Sequence, residues 1–298
     1  LNIKDAYIKS MAIKKIGSQD LLYKILTNSY DETLRMEIIE RITEEKLLFS
    51  IAKNDPNKYI TEIAVKRLND EELLTSIAMD SESKNCRKLA TEKITEEEYL
   101  EKLAKLSEYP EIRTMAVSKL IKQDALIYVA KNDEYSGIRM NAVEKISDRE
   151  TLRFVAKNDE YSEIRKLAIE KISTEDFLAD LFYHEENSEV RELIASKITN
   201  IELLRGMIKH EKYSGVRKVI VSNVNDPELL MEVAKNDKFY LIRKMAVEKL
   251  QVPMVLEDIA ENDKHVEVRN AAKRKLGIDV RESFEEDIMD FGYINPIT

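Results

Sequence analysis

Tryptophan is absent from the 298 residues, which hold one cysteine, three histidines, five prolines and six glycines. A single thiol excludes disulfides within the chain. Few prolines and glycines, with 35% charged and 43% apolar residues, suit a helix-rich, well-buried chain and exclude a disordered one. No apolar run approaches the ~20 residues that span a bilayer, and no basic-then-apolar leader opens the chain, so no membrane association is expected. The net charge is −9 without a long block of either sign, which argues against nucleic acid as a partner. No Gly-rich phosphate loop, nucleophile elbow or Cys-x-x-Cys pair is present, so no cofactor is expected.

What the chain does have is a period. Arg35, Arg87, Arg113, Arg139, Arg165, Arg191, Arg217, Arg243 and Arg269 recur every 26 residues, with Lys9 and Thr61 in the two remaining slots. Eleven repeats without a slip predict a stacked array in one elongated domain over residues 1–276. Numbered from the arginine, each repeat carries a first helix, helix A, whose apolar residues share one face, as do Ile164, Ala168, Ile169 and Ile172. Helix B follows with a leucine in all ten complete copies, from Leu22 to Leu256. Cys86 fills a slot held elsewhere by Ile, Leu or Val, which predicts a small buried apolar role.

Between the helices, Thr43, Asn69, Thr95, Ser147, Ser173, Thr199 and Asn225 share a slot, often with an acid three residues on, and predict a repeated capping box. Lys-Asn pairs such as Lys53-Asn54 and Lys131-Asn132 predict a left-handed cap at the end of helix B. The lysine row Lys53, Lys105, Lys131, Lys157, Lys209 and Lys235 suits the negative helix end, with a surface for acidic ligands as its second reading. Helices of about three turns are marginal alone, so stability is expected from neighbouring repeats.

The pattern Asp159-x-x-x-x-Ile164-Arg165-x-x-Ala168-x-x-x-Ile172 resembles bacterial HEAT-like repeats, whose first helix carries a Val-Arg-x-x-Ala signature; the 26-residue period approaches the shorter leucine-rich repeat variant. The resemblance covers nearly the whole chain. It implies an all-α fold, a right-handed α-α superhelix of about eleven two-helix repeats. It also implies a structural ladder in which an aspartate six residues before each arginine (Asp55, Asp133, Asp159, Asp237, Asp263, with Glu185 and Glu211 as substitutes) pairs with arginine between repeats.

Four residues before the arginine, Asp5, Asp31, Asn57, Ser83 and Asn187 are suited to cap helix A, whereas other repeats carry Tyr109, Tyr135, Tyr161, Tyr213, Phe239 and His265. Two readings stand side by side. Either the rings seal the loops, with Ser136, Ser162 and Ser214 taking over the cap, or they anchor a partner together with Tyr128 and Phe154 on helix B. The sequence therefore suggests a non-enzymatic scaffold that binds a peptide or protein partner, with cytoplasmic localisation.

The alternative is a HEAT-like enzyme or nucleic-acid-associated protein. His184-Glu185 and His210-Glu211 resemble the His-Glu steps of deoxyhypusine hydroxylase, a HEAT-like di-iron enzyme. That family carries four such steps within helices, and here two replace the Asn-Asp that ends helix B, so no metal site is expected. Alkylpurine DNA glycosylases and phycobilin lyases are similar in repeat type alone. At the ends, Gly277 is expected to stop the last helix. Residues 277–298 are expected to form a cap or tail, with a closing helix over Asp279–Asp290 that places Val280, Phe284 and Ile288 on one face. The chain opens on Leu1, within a partial first repeat, so more chain is expected before it and end-to-end self-association is a further expectation.

Overall fold

Alternating helix A and helix B stripes become helices throughout a computed structural model that describes residues 3–280, with side chains from residue 8 onward. Twenty-one helices, most of them ten residues long, follow one another from Ile3–Lys15 to Val266–Lys275, and no strand occurs among the described residues. Two compact units divide the chain at Val155, within the helix Arg149–Asn158. None of the helices is long and apolar enough to cross a membrane. The closing helix predicted over Asp279–Asp290 lies outside the described residues from position 281 onward.

In the N-terminal unit, each helix B packs on the following helix A: Glu45–Asn54 on Lys58–Arg67, Glu71–Asp80 on Lys84–Lys93, Glu97–Leu106 on Pro110–Lys119, and Gln123–Asn132 on Ser136–Lys145. Successive helices A also pack on one another. The C-terminal unit repeats the scheme, with Pro227–Asn236 on Tyr240–Lys249 and Pro253–Asn262 on Val266–Lys275. Helices of this length cannot hold themselves in water, and each acquires its stability from both neighbours.

The core is the predicted stripe. All ten helix B leucines are buried, as are Ile112, Ala116, Val117 and Leu120 of one helix A. Each fully buried Leu or Ile contributes roughly 1.5–3 kcal/mol of apolar transfer. Cys86 is fully buried, its Sγ 3.6 Å from Thr61 Oγ1, in agreement with its apolar slot.

Two terminus expectations are corrected. Gly277 at φ 76 is the sole positive φ among the described residues, so the lysine-asparagine pairs do not form left-handed caps. Asn54 is the last helical residue instead; its Nδ2 donates to Ser50 O at 2.9 Å, and Asp55 leaves the helix in extended conformation. The exit is extended whether or not a carboxylate stands there, since Ser81 and Ser107 leave their helices in the same conformation. Gly277 does stop the final helix, as expected: its N–H and that of Ile278 bond to Arg274 O and Lys273 O.

The capping box is displaced by one residue and spans two repeats. Thr43, Asn69, Thr95 and Thr199 precede the N-cap, whereas Asp70, Asn200 and Asp226 occupy it and accept from helix N–H groups. The acid at the first helical position reaches forward to the next repeat. Glu71 accepts from the N–H groups of Thr95 and Glu96, both at 2.9 Å, and Glu175 accepts from the Thr199 hydroxyl and the Asn200 N–H. The Thr199 hydroxyl and backbone N–H groups outweigh partial burial and hold the Glu175 carboxyl below its ordinary pKa.

Candidate interaction edge

The arginine row forms a two-handed ladder. Arg113 donates from Nε and Nη2 to Asp133 at 2.7 and 3.1 Å, and from Nη1 to Ser107 O at 3.0 Å. In the C-terminal unit Arg165 grips Glu185 at 2.8 Å through two nitrogens and Arg243 grips Asp263 at 2.7 and 2.9 Å, while Arg191 takes Glu211 and Arg217 takes Asp237. Each of these five arginines thus holds the carboxylate twenty residues ahead and the backbone carbonyl six residues behind. Fork-to-carboxylate geometry explains why the slot calls for Arg rather than Lys.

The same carboxylate serves a third group. Asp133, Asp159, Glu211, Asp237 and Asp263 each accept the backbone N–H two residues on, from Tyr135, Tyr161, Tyr213, Phe239 and His265. Those residues are the N-caps of helix A. Tyr109, Tyr135, Tyr161, Tyr213 and Phe239 make no side-chain cap, and Ser136, Ser162 and Ser214 are already helical, so the serines do not take over that role. His265 departs from its slot-mates: its Nδ1 accepts from Glu267 N at 3.3 Å, so it caps, and its ring stacks on Tyr240 at 3.6 Å.

None of the eight aromatic or histidine side chains is fully buried. Tyr135 and Tyr161 are about half exposed, as are Tyr128 and Phe154 on helix B, and Tyr109, Tyr213, Phe239 and His265 are partly buried. Cations lie over several rings: Arg87 over Tyr109 at 3.5 Å, Arg113 over Tyr135 at 5.3 Å, Lys105 over Tyr128 at 5.0 Å and Lys131 over Phe154 at 5.1 Å. Of these groups, Lys105, Arg113 and Tyr128 line a polar groove of about 300 Å³ in the N-terminal unit, together with Ser107, Asp133 and Glu134 among others. A second groove, lined by Ser29, Arg35, Ser50, Asn54 and Asp55, holds the equivalent positions three repeats earlier.

Three of the six lysines of the row have carboxylate partners. Lys105 bonds Glu101 at 2.6 Å, Lys235 bonds Asp258 at 2.6 Å and Lys53 lies 3.8 Å from Asp80. The two His-Glu steps belong to the ladder, since Glu185 and Glu211 take arginines, and His184 Nδ1 lies 2.9 Å from Asp180 O. Among the described residues, no group of three or more His, Cys, Asp or Glu is placed to hold a metal.

A second ladder was missed from sequence. The basic residue that ends or nears the end of helix A reaches back to the carbonyls closing the preceding helix A: Arg67 to Ile42 O, Lys119 to Thr91 O and Glu92 O, Lys145 to Val117 O and Ser118 O, Lys249 to Val221 O and Ser222 O. Burial pushes Lys119 and Lys249 below the ordinary lysine pKa. Its signal, a basic residue every 26, was visible beside the arginine row.

No family model matches the chain, and no curated protein matches it. Among solved structures the chain is similar to the X-ray structure of YibA from Escherichia coli, with 16% identity over 92% of this chain and 97% of that one and a TM-score of 0.26, a superposition too loose to bear on the site.

Proposed function

We propose that the chain is a HEAT-like repeat scaffold without catalytic function, which binds a peptide or protein partner along the aromatic and lysine edge of its repeats. The observation that carries this reading is that the fold does not require the rings. Ser50, Ser76 and Gly206 fill the slot of Tyr128 and Phe154, and Asn57 and Asn187 fill the slot of Tyr135 while capping helix A through their own side chains. Rings that the packing does not need, left about half exposed beside lysines, offer apolar area and a polar tip at low entropic cost.

The test is affinity capture from native lysate by the wild-type chain and by Tyr109→Asn, Tyr135→Asn, Tyr161→Asn and Tyr213→Asn combined, with circular dichroism confirming the fold. A partner captured by wild type and lost by the folded variant supports the edge; identical capture by both sinks it.

A further inference from the structure

One loop slot reverses its charge along the C-terminal unit. Five residues before each arginine, between the ladder acid and the N-cap of helix A, stand Glu160 and Glu186, then Lys212, Lys238 and Lys264, all exposed. The fold does not fix the sign, since Tyr30 and Pro56 fill the same slot in the N-terminal unit. The helix dipole does favour one. An acid just before a helix N-terminus faces its positive end, so Glu160 and Glu186 suit the place and a lysine there has the wrong sign. Within the chain Lys212 and Lys238 lie over the next ring, Tyr213 at 4.8 Å and Phe239 at 5.0 Å. The acid beside each is committed to an arginine, Glu211 to Arg191 and Asp237 to Arg217. Lysines kept in consecutive repeats against the dipole call for a negative charge that meets them from outside.

The chain itself carries the complement. Four successive rungs read Glu160, Glu186, Lys212 and Lys238, and the same four read in reverse give Lys, Lys, Glu, Glu at the same pitch. A second copy laid antiparallel therefore meets acid with base at every rung. A slip of one rung sets Glu186 against Glu186 in one direction and Lys212 against Lys212 in the other, so like-charge repulsion holds the register. The slot three residues on follows suit: Glu163 and Glu189 stand beside the acidic rungs, whereas Gly215 and Leu241 leave the basic rungs without an acid there.

We propose that the C-terminal unit pairs along this edge with that of a second copy of the chain, antiparallel about a two-fold axis between the Glu186 and Lys212 rungs. Glu160 then meets the second copy's Lys238, and Glu186 its Lys212. This rests on the edge reading above and names the occupant of the edge in the C-terminal unit. A contact of this kind is isologous and closes at two copies. Exposed ion pairs set register and contribute little affinity. Apolar area comes from the rings one residue on, since the same axis sets Tyr161 opposite the second copy's Phe239 and Tyr213 opposite its Asn187.

The four side chains can be exchanged safely, because the slot already carries both residue types. Glu160→Lys with Glu186→Lys makes one variant of the full chain, and Lys212→Glu with Lys238→Glu a second. Sedimentation velocity over a concentration series reads wild type, each variant alone and both mixed, with circular dichroism confirming the fold. Wild type is expected to dimerise, its dissociation constant rising at least tenfold between about 0.01 M and about 1 M salt as the screening length falls from about 30 to about 3 Å. Each variant alone sets like charges across the axis and is expected to weaken the dimer at least tenfold. The equimolar mixture restores every acid-base rung and is expected to recover it as a heterodimer. Wild type that stays monomeric, a dimer that either variant keeps intact, species larger than a dimer, or a folded mixture that stays monomeric each overturns the pairing. The charge variants keep every ring and the tyrosine variant keeps every charge, so the two readings fail apart. Unchanged lysate capture by the tyrosine variant beside a recovered heterodimer fails the edge reading alone; lost capture beside a monomeric mixture fails the pairing alone.

Discussion

Arg191 sets Nε and Nη2 on a single carboxylate oxygen of Glu211, at 2.8 and 2.5 Å, and the Glu211 side chain has no solvent exposure. Removing one partner leaves the other charge buried without compensation. Glu211→Ala is expected to cost about 3–5 kcal/mol, and an apolar replacement of both, Arg191→Met with Glu211→Leu, to recover most of it. Urea unfolding of the three chains checks this; a Glu211→Ala loss under about 1 kcal/mol would place the pair in the class of surface bridges.

Acid should loosen the ladder. Burial alone would raise the Asp263 carboxyl, but the Arg243 guanidinium, the His265 N–H and nearby cations outweigh it and hold the folded value below 3.8. A folded pKa below the unfolded one contributes stability above pH 3.8 that is lost as pH falls through the folded value. Asp263→Asn should therefore be less stable near neutrality and show a shallower loss of melting temperature below that pH. Parallel acid profiles for the two chains would contradict the linkage.

Gly206 sits within the helix Ile201–His210, in the slot held by Tyr128 and Phe154 elsewhere, and a Cβ there would meet the Tyr183 hydroxyl at 2.9 Å. That hydroxyl ends a half-exposed side chain free to shift, so helix propensity should decide the outcome. Gly206→Ala is expected to stabilise by about 0.5–1 kcal/mol, read as a rise in melting temperature; a fall would show that the Tyr183 ring is held in place.

Tyr135→Asn exchanges a ring over Arg113 for a cap. Asn57 shows the geometry, its Oδ1 accepting from Tyr59 N at 2.9 Å. A cap contributes about 0.5–2 kcal/mol and the cation-ring contact about 0.5–1 kcal/mol, so the melting temperature should stay within a few degrees of wild type. A large drop would mean that the ring is part of the fold and would remove the basis for the proposed edge.

The helices, their stripes and the arginine row were legible because an unbroken period aligns equivalent positions without any other sequence. Which carboxylate an arginine holds was harder to read. In a 26-residue repeat, an acid six before one arginine is also twenty after the previous one, since 26 − 6 = 20, and sequence alone cannot separate the two. The structure divides the roles, giving the backbone carbonyl to the near arginine and the carboxylate to the far one. The row that includes Lys119 and Lys145 stayed hidden for a different reason: a lysine at a helix C-terminus already satisfies the dipole, so nothing demanded that it reach back to the preceding helix A. The exposure of Tyr128, Tyr135 and Phe154 could not be read at all, because an aromatic at a loop or helix slot is compatible with packing or display.

The two-handed arginine also determines how the gene can change. Delete residues 186–211, and Lys212 follows Glu185: Arg165 still finds its carboxylate at Glu185, and Arg217 now lies six residues beyond that glutamate, where its Nη1 meets the same kind of carbonyl. Remove one residue more or fewer, and the cut shifts one arginine away from its rung. Whole repeats can therefore be lost or duplicated without a new interface having to be invented, while small insertions within a repeat meet resistance at every rung they displace.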